Sequence, residues 1–366
     1  MTKKHRVAVF LNDMNATGGI QRVAANLARD LQAKYDTMIL TVYPFDKPVF
    51  YESDITFKSL HMPYWGQFFP KPRKMLSIGW KLRRFVIDNE IDTVLAFWWH
   101  LAIIAAFVLP NSVKKIGCEH IAFSLASRYW QWIRRLGYPH LDAVVTLTKE
   151  DQPKFSTISQ LACVIPNYVH AIDPDPIEKR EKIILTVGHI EHRKGIDRLL
   201  WALKAPLHQN PDWKLVIIGG GEKGQSEDWY IPYLGALLSI LNLDNRVEFY
   251  PATPRINDWY RKASIYVMGS RWEGFPMVLL EAKAHGLPII SFNCPTGPKE
   301  IIRPGVDGFL IDNDTLAFAD AAQALMRDSD LRRQMSAAAI GDVGDRFSAE
   351  VVCRQWYALI DSLHEG

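Results

Sequence analysis

Two glutamates, Glu273 and Glu281, stand on either side of a seven-residue run in the stretch RWEGFPMVLLEAKAHGLPIIS, which contains a glycine, a proline and an aliphatic block. Carboxylates so placed could form an acid–base pair, or could accept hydroxyl hydrogen bonds at two ends of one ligand. Local geometry favours the second. Pro276 suits a first helical position, and Gly286 suits the left-handed residue that closes a helix. Glu273 then falls on the loop ahead of the helix and Glu281 more than a turn inside it, so the two do not share a helical face. Between them lies the helix N-terminus, entered through Gly274 and Phe275, whose N–H groups near Phe275, Met277 and Val278 could hold a phosphate. A nucleotide sugar has that layout: a ribose diol, a diphosphate, then a hexose with its own hydroxyls.

A second stretch, VGHIEHRKGIDRLL, brings Arg193 and Lys194 into a loop between a strand and a helix, with Gly188 allowing close approach. Two fixed cations suit a diphosphate leaving group, whose negative charge grows as its bond breaks. The same residues also read as a solvated basic loop. Two other glycine turns follow strands. NATGGIQRVAANL places Gly18 and Gly19 before an amphipathic helix, where an anion could approach, or where a tight turn is all that is needed. GGGE, from Gly219 to Glu222, lacks the full dinucleotide-binding spacing and reads as a structural turn. An Asp-x-Asp pair, Asp173 and Asp175, sits in a proline-rich stretch rather than at a strand end, so it is taken as turn chemistry and no metal site is expected.

The elements that must position these residues alternate along the chain. Short aliphatic runs (RVAVFL, TMILTVYPF, DTVLAF, DAVVTLT) are separated by helical patterns such as IQRVAANLARDLQAKY, the signature of parallel strands with crossover helices. HAIDPDPIEKREK, rich in proline and charge, reads as a linker, after which a second α/β series begins at KIILTVGHI. The expected organisation is α/β, with two Rossmann-like domains facing one another across a cleft. The first covers residues 1–169, the linker 170–180 and the second domain 181–348; a last helix over 349–364 is expected to pack back on the first. The apolar stretch from Val94 to Pro110 is broken by His100 and reads as a buried strand and helix rather than a membrane span.

Bulk composition agrees with a soluble globular chain of two domains: 366 residues, 48% hydrophobic and 23% charged. A formal charge of +3 is too mild to imply a nucleic-acid partner. The four cysteines lie far apart without ligand spacing, which fits buried thiols in a reducing cytoplasm. Two stretches are both basic and aromatic, FFPKPRKMLSIGWKLRRFV and SRYWQWIRRLGYPH. They fit either a peripheral contact with anionic lipid at the inner face of a membrane, or a solvated basic face whose aromatics lie in the core.

The pattern EGFPMVLLEA followed by HGLPIIS resembles the E-x7-E signature of glycosyltransferase family 4, the retaining GT-B enzymes. The likeness extends to GGIQRV, EHIAFS, LDAVVTLTKED, VIPNYV, VGHIEHRKGIDRLL and CPTGPKEIIRPGVDGFLI, nearly the whole chain in order. It is similar to the bacterial galactosyl- and N-acetylhexosaminyltransferases of lipopolysaccharide, exopolysaccharide or teichoic acid assembly. The resemblance implies a metal-independent, retaining transfer of a hexose or N-acetylhexosamine from a nucleotide sugar, UDP-linked, to a glycan or lipid-linked acceptor. It implies that Glu281 meets the ribose, Glu273 the donor hexose and Lys194 the diphosphate, that Gly19 lets the first loop approach, and that His120 lies near the transferred sugar. One departure stands out: the family usually has Gly-Arg where this chain has Gly188-His189, so Arg193 or a protonated His189 must supply the missing charge. The rival readings are a non-catalytic sugar-nucleotide-binding protein of the same fold and an NAD-type oxidoreductase. The oxidoreductase lacks both the complete glycine motif and the acid after the second strand.

Overall fold

A computed structural model describes residues 4–15, 18–45, 55–64, 72–220 and 229–365. The chain forms two compact units, Met1–Asn167 with Ala349–Gly366, and Tyr168–Ser348.

The first unit runs β1 (Arg6–Leu11), α1 (Gly19–Leu31), β2 (Asp36–Thr41), β3 (Thr56–Ser59), α2 (Pro72–Asp88), β4 (Thr93–Phe97), α3 (Trp99–Val108), β5 (Lys114–Glu119), α4 (Arg128–Gly137), β6 (Ala143–Thr146), α5 (Gln152–Ser156) and β7 (Ala162–Val164). Its strands form one parallel sheet in the order β3-β2-β1-β4-β5-β6-β7. β1 and β4 are apolar from their second residues onward because helices cover both faces of such a sheet. The segment from Val94 to Pro110 is β4 running into α3, and among the described residues no helix is long and apolar enough to cross a membrane.

The second unit runs β8 (Ile183–Val187), α6 (Ile196–Gln209), β9 (Lys214–Ile218), α7 (Tyr230–Leu241), β10 (Val247–Tyr250), α8 (Ile256–Lys262), β11 (Ile265–Met268), α9 (Met277–Ala284), β12 (Ile289–Phe292), α10 (Pro298–Ile301), β13 (Gly308–Ile311), α11 (Thr315–Arg327) and α12 (Ser329–Asp342). Its sheet is also parallel, in the order β10-β9-β8-β11-β12-β13. Strand order reverses beside β8, so the loops after β8 and β11 emerge next to each other at the carboxyl edge, where such sheets bind ligands.

Two boundaries differ from the sequence reading. Residues 170–180 are part of the second unit, not a free linker: Ile177 is buried, and the Arg180 guanidinium donates to the His285 carbonyl at 2.6 Å, closing the end of α9. Pro276 is the residue before α9 rather than its first, with extended backbone that leads the loop into the helix. Gly286 has the left-handed conformation (φ 66°) expected where that helix stops. The final helix, α13 (Ala349–Glu365), belongs to the first unit and packs beside α1; Tyr357 donates to the Asp30 carbonyl at 3.0 Å, and Asp361 receives both Tyr35 and Lys34.

A buried charge cluster anchors α9. Lys283 is fully buried, and its ammonium donates to the Ile301 carbonyl (2.8 Å), Asp307 (2.9 Å) and Asp342. Burial lowers the lysine's pKa, and the two carboxylates work against that shift. Arg303 and Arg346 close the cluster from the surface at 2.7 Å and 2.6 Å. Lys283→Met therefore leaves two buried carboxylates with only their arginines. It is expected to cost about 3 kcal/mol, the lower end for removing one partner of a buried ion pair, measured as a shift of the denaturant midpoint.

Candidate functional site

The loop after β8 and the loop after β11 touch through two glycines. A Cβ on Gly195 would lie 2.1 Å from the Gly269 carbonyl oxygen, and one on Gly269 would lie 2.3 Å from that of Gly195. Gly195 is also left-handed (φ 63°), which ends the turn carrying Arg193 and Lys194 and starts α6. The Arg271 N–H donates to the Arg193 carbonyl at 2.8 Å, joining the loops a second time.

This contact brings the two cations onto Glu273. Lys194 Nζ donates to Oε1 at 2.7 Å, Arg193 Nη1 to Oε2 at 3.2 Å, and the Ser270 hydroxyl to Oε1 at 2.8 Å. Glu273 is only 7% exposed. Burial alone would raise its pKa, but Lys194 and then Arg193 outweigh burial and hold the carboxyl below its ordinary range. Three of its roughly four lone-pair directions are used, which leaves room for a hydroxyl at Oε2. Arg193 is itself fixed: its guanidinium lies 4.8 Å from the Trp272 ring centre and also pairs with Glu191 at 2.5 Å. Of the two candidates for the family's missing arginine, Arg193 is thus the one aimed at Glu273. His189 lines a small recess with Thr186, Gly188, Lys194, Ser270 and Val278.

Three supporting residues were not singled out from the sequence. Arg271 grips Asp197 with two bonds, 3.0 Å and 2.7 Å, and donates to the His192 carbonyl at 2.6 Å, while Tyr230 donates to Asp197 at 2.7 Å. This network clamps the cation loop to the glutamate loop. The available signal was the basic Arg271 two residues before Glu273.

The α9 N-terminus follows directly. Phe275 and Met277 are buried, and the Thr296 hydroxyl donates to the Glu273 carbonyl at 2.6 Å, so the loop through Gly274 is held from both ends. A Cβ at Gly297 would come within 2.9 Å of the Gly274 carbonyl oxygen, which shows how tightly that loop is backed. Glu281 lies one turn into the helix, 5% exposed, and receives the Tyr260 hydroxyl at 3.0 Å. The carboxylates thus hold separate positions: Glu273 with the cations, Glu281 against a tyrosine.

Of the remaining candidates, Gly219 is structural: a Cβ there would sit 1.7 Å from the Gly188 carbonyl oxygen. Gly221 and Glu222 lie outside the described residues. Asp175 faces Arg261 at 3.5 Å. Gly18, Gly19 and His120 belong to the first unit. Gly18 precedes α1 and Gly19 opens it, at the carboxyl edge beside β1. His120 follows β5, its ring 4.6 Å from that of Phe97 and its buried Nε2 without a partner. Burial pulls its pKa down to about 4, so it is neutral at pH 7. His100, at the start of α3, is held to Asn12 at 3.0 Å and is lowered to about 4 for the same reason.

Comparison with known proteins gives the family and the fold. Residues 171–342 match the model described as glycosyl transferases group 1, and residues 17–171 the model of glycosyltransferase family 4. The chain is 30% identical over 345 residues, 90% of its length and 93% of the relative's, to an uncharacterized glycosyltransferase of Haemophilus influenzae. It is 23% identical, over 90% of its length and 91% of the relative's, to a Campylobacter jejuni N-acetyl-D-galactosaminyltransferase whose name gives a diNAcBac-PP-undecaprenol-linked acceptor. Among solved structures it is similar to Anabaena HepE in complex with UDP, with a TM-score of 0.79 at 17% identity, covering 98% of this chain and 100% of that one. The chain belongs to glycosyltransferase family 4 and has the GT-B fold. That membership removes the oxidoreductase reading.

The glycine contact and His120 can each be tested. Gly269→Ala must push apart backbone that has no side chain to rearrange, and is expected to cost about 1–3 kcal/mol, with a parallel loss of nucleotide affinity measured by calorimetry. For His120 the folded ring titrates near pH 4 and the unfolded ring near 6.5, so only the unfolded state takes a proton between those values. Stability should therefore fall as pH drops from 6.5 to 4, and His120→Gln should flatten that slope in pH-dependent chemical denaturation.

Proposed function

We infer that the protein is a retaining, metal-independent transferase that moves a hexose or N-acetylhexosamine from a UDP-linked donor to a glycan or lipid-linked acceptor in cell-surface polysaccharide synthesis. The observation that carries this reading is the convergence of Lys194 and Arg193 on Glu273 beside the α9 N-terminus, at the strand-order reversal. The UDP complex of the structural neighbour and the lipid-linked acceptor named for the Campylobacter relative support the choice of substrates.

In this reading the donor diphosphate binds between the two cations and the first N–H groups of α9, and the hexose hydroxyls meet Glu273. Glu281 takes the ribose diol. As the bond from the anomeric carbon to the phosphate oxygen lengthens, charge grows on the diphosphate, and Lys194 and Arg193 stabilise it without moving, because Glu273, Glu191 and Trp272 already hold them. The leaving phosphate takes the acceptor hydroxyl's proton on the face it departs from, and the acceptor oxygen bonds to the same face of the anomeric carbon. No protein carboxylate is needed as nucleophile, which agrees with each Glu273 oxygen being paired with a cation. His120, neutral at its lowered pKa, can exchange hydrogen bonds with a sugar but supplies no charge at pH 7.

Screening a panel of UDP- and GDP-sugars for ligand-induced thermal stabilisation should single out one UDP-sugar. With that donor and an accepted acceptor, Lys194→Ala and Glu273→Ala should each lower turnover at least about a hundredfold, the scale of one lost preorganised contact. Near-normal turnover in both variants, an inverted anomeric configuration in the product by NMR, or activity lost to a chelator and restored by manganese would each overturn a stated part of the reading.

A further inference from the structure

Helices α2, α3 and α4 make the crossovers β3→β4, β4→β5 and β5→β6, in each of which the chain steps toward the β7 edge of the sheet. The right-handed crossover rule puts all three on one face, and α2 packs beside α3, and α3 beside α4. Their inner sides are ordinary core: Ile78, Leu82 and Val86 of α2, and nearly all of α3. The outer sides are not ordinary surface.

On α2, Leu76 is 72% exposed and Trp80 61%, with Ile87 also exposed; on α3, Phe107 is exposed; on α4, Tyr129 is 61% and Trp132 56% exposed, with Leu136 also exposed. The spacings 76, 80, 87 and 129, 132, 136 each draw a stripe along one side of a helix. Exposed arginines flank both stripes, Arg73, Arg83 and Arg84 on α2 and Arg128 and Arg135 on α4, while Asp88 is the one acidic residue in the three helices. Arg84 lies 5.6 Å from the centre of the Trp80 ring. The aromatics of these segments are sorted by the fold: Phe85 and Trp130 pack against the core, whereas Trp80, Tyr129 and Trp132 face out.

We propose that this outer face of α2, α3 and α4 docks on an anionic lipid surface, with Trp80, Tyr129, Trp132 and the exposed aliphatics entering the headgroup region and the arginines meeting lipid phosphates. The chemistry selects that partner. Exposed tryptophan and tyrosine are the side chains with one apolar and one wet end that membrane interfaces favour, and a surface of arginines almost free of carboxylates is complementary to anionic headgroups. α2, 17 residues long, extends about 25 Å at 1.5 Å per residue, enough to lie along a bilayer surface with all its outward residues in contact. This inference rests on the surface alone and does not depend on the transferase reading.

The test uses the full chain with vesicles of phosphatidylcholine alone or containing about 30% phosphatidylglycerol, scored by flotation, without reference to activity. The wild type should float with the anionic vesicles and far less with the neutral ones. Arg128→Ser with Arg135→Ser should lower the partition coefficient about 25-fold, from about fivefold per cationic residue at an anionic surface. Trp80→Ala with Trp132→Ala should lower it at least about tenfold through lost apolar burial. Thermal midpoints of both double variants should stay at the wild-type value, since the replaced side chains are exposed. Absence of flotation, or flotation unchanged in both variants, overturns the proposal. So does a concentration-dependent dimer that the tryptophan variant abolishes while vesicle binding is absent, which would make the face a contact between copies.

Discussion

The second unit depends on one close approach: the backbone of the loop after β8 lies against that of the loop after β11, at Gly195 and Gly269, with no room for a side chain on either. Everything at the site follows from that contact. It brings Lys194 and Arg193 within hydrogen-bond reach of Glu273, and the Arg271–Asp197–Tyr230 network then locks the two loops in register. A buried carboxylate facing two cations is costly to assemble, because each charge must leave water before it meets its partner. The cost is tolerable here because Glu273 has three donors and Arg193 is also held by Glu191 and Trp272.

In the proposed reading, the same arrangement lets one site recognise an anion and a sugar without rearranging. Lys194 and Arg193 are fixed before any ligand arrives, so little reorganisation is required as negative charge develops. Glu273 has a dual position, as counter-ion to the cations and as an acceptor still open to a hydroxyl. Glu281, fixed by Tyr260 a turn further along α9, holds a second acceptor at a separate point. The buried Lys283 cluster secures the far end of the same helix, so α9 is tied at both ends.

The first unit is built on different priorities. It holds a buried polar set, Glu119 with Arg134 at 2.7 Å and with Tyr138, beneath an outward set of arginines on α2 and α4. Arg134 is fully buried although its neighbours Trp132 and Arg135 are exposed. A helix whose polar face partly turns inward to meet Glu119 leaves Tyr129 and Trp132 on the outside. The outward aromatic stripe is thus a consequence of how α4 is held.

Much of this was legible in the residues themselves. Alternating apolar runs and helical periods gave the two parallel sheets, because burial on both faces and the 3.6-residue repeat are local properties of a chain. The E-x7-E spacing, with Pro276 and Gly286, already separated Glu273 from Glu281 across a loop–helix junction. What the tertiary structure decided were the pairings between distant segments. That Glu273 faces Lys194, 79 residues away, that Arg193 rather than His189 is aimed at it, that residues 170–180 strap the end of α9, and which tryptophans turn outward all depend on what lies opposite once the strands are ordered. A side chain's period is written in its neighbours; its partner is set by the reversal of strand order beside β8 and by the two glycines that let the loops meet.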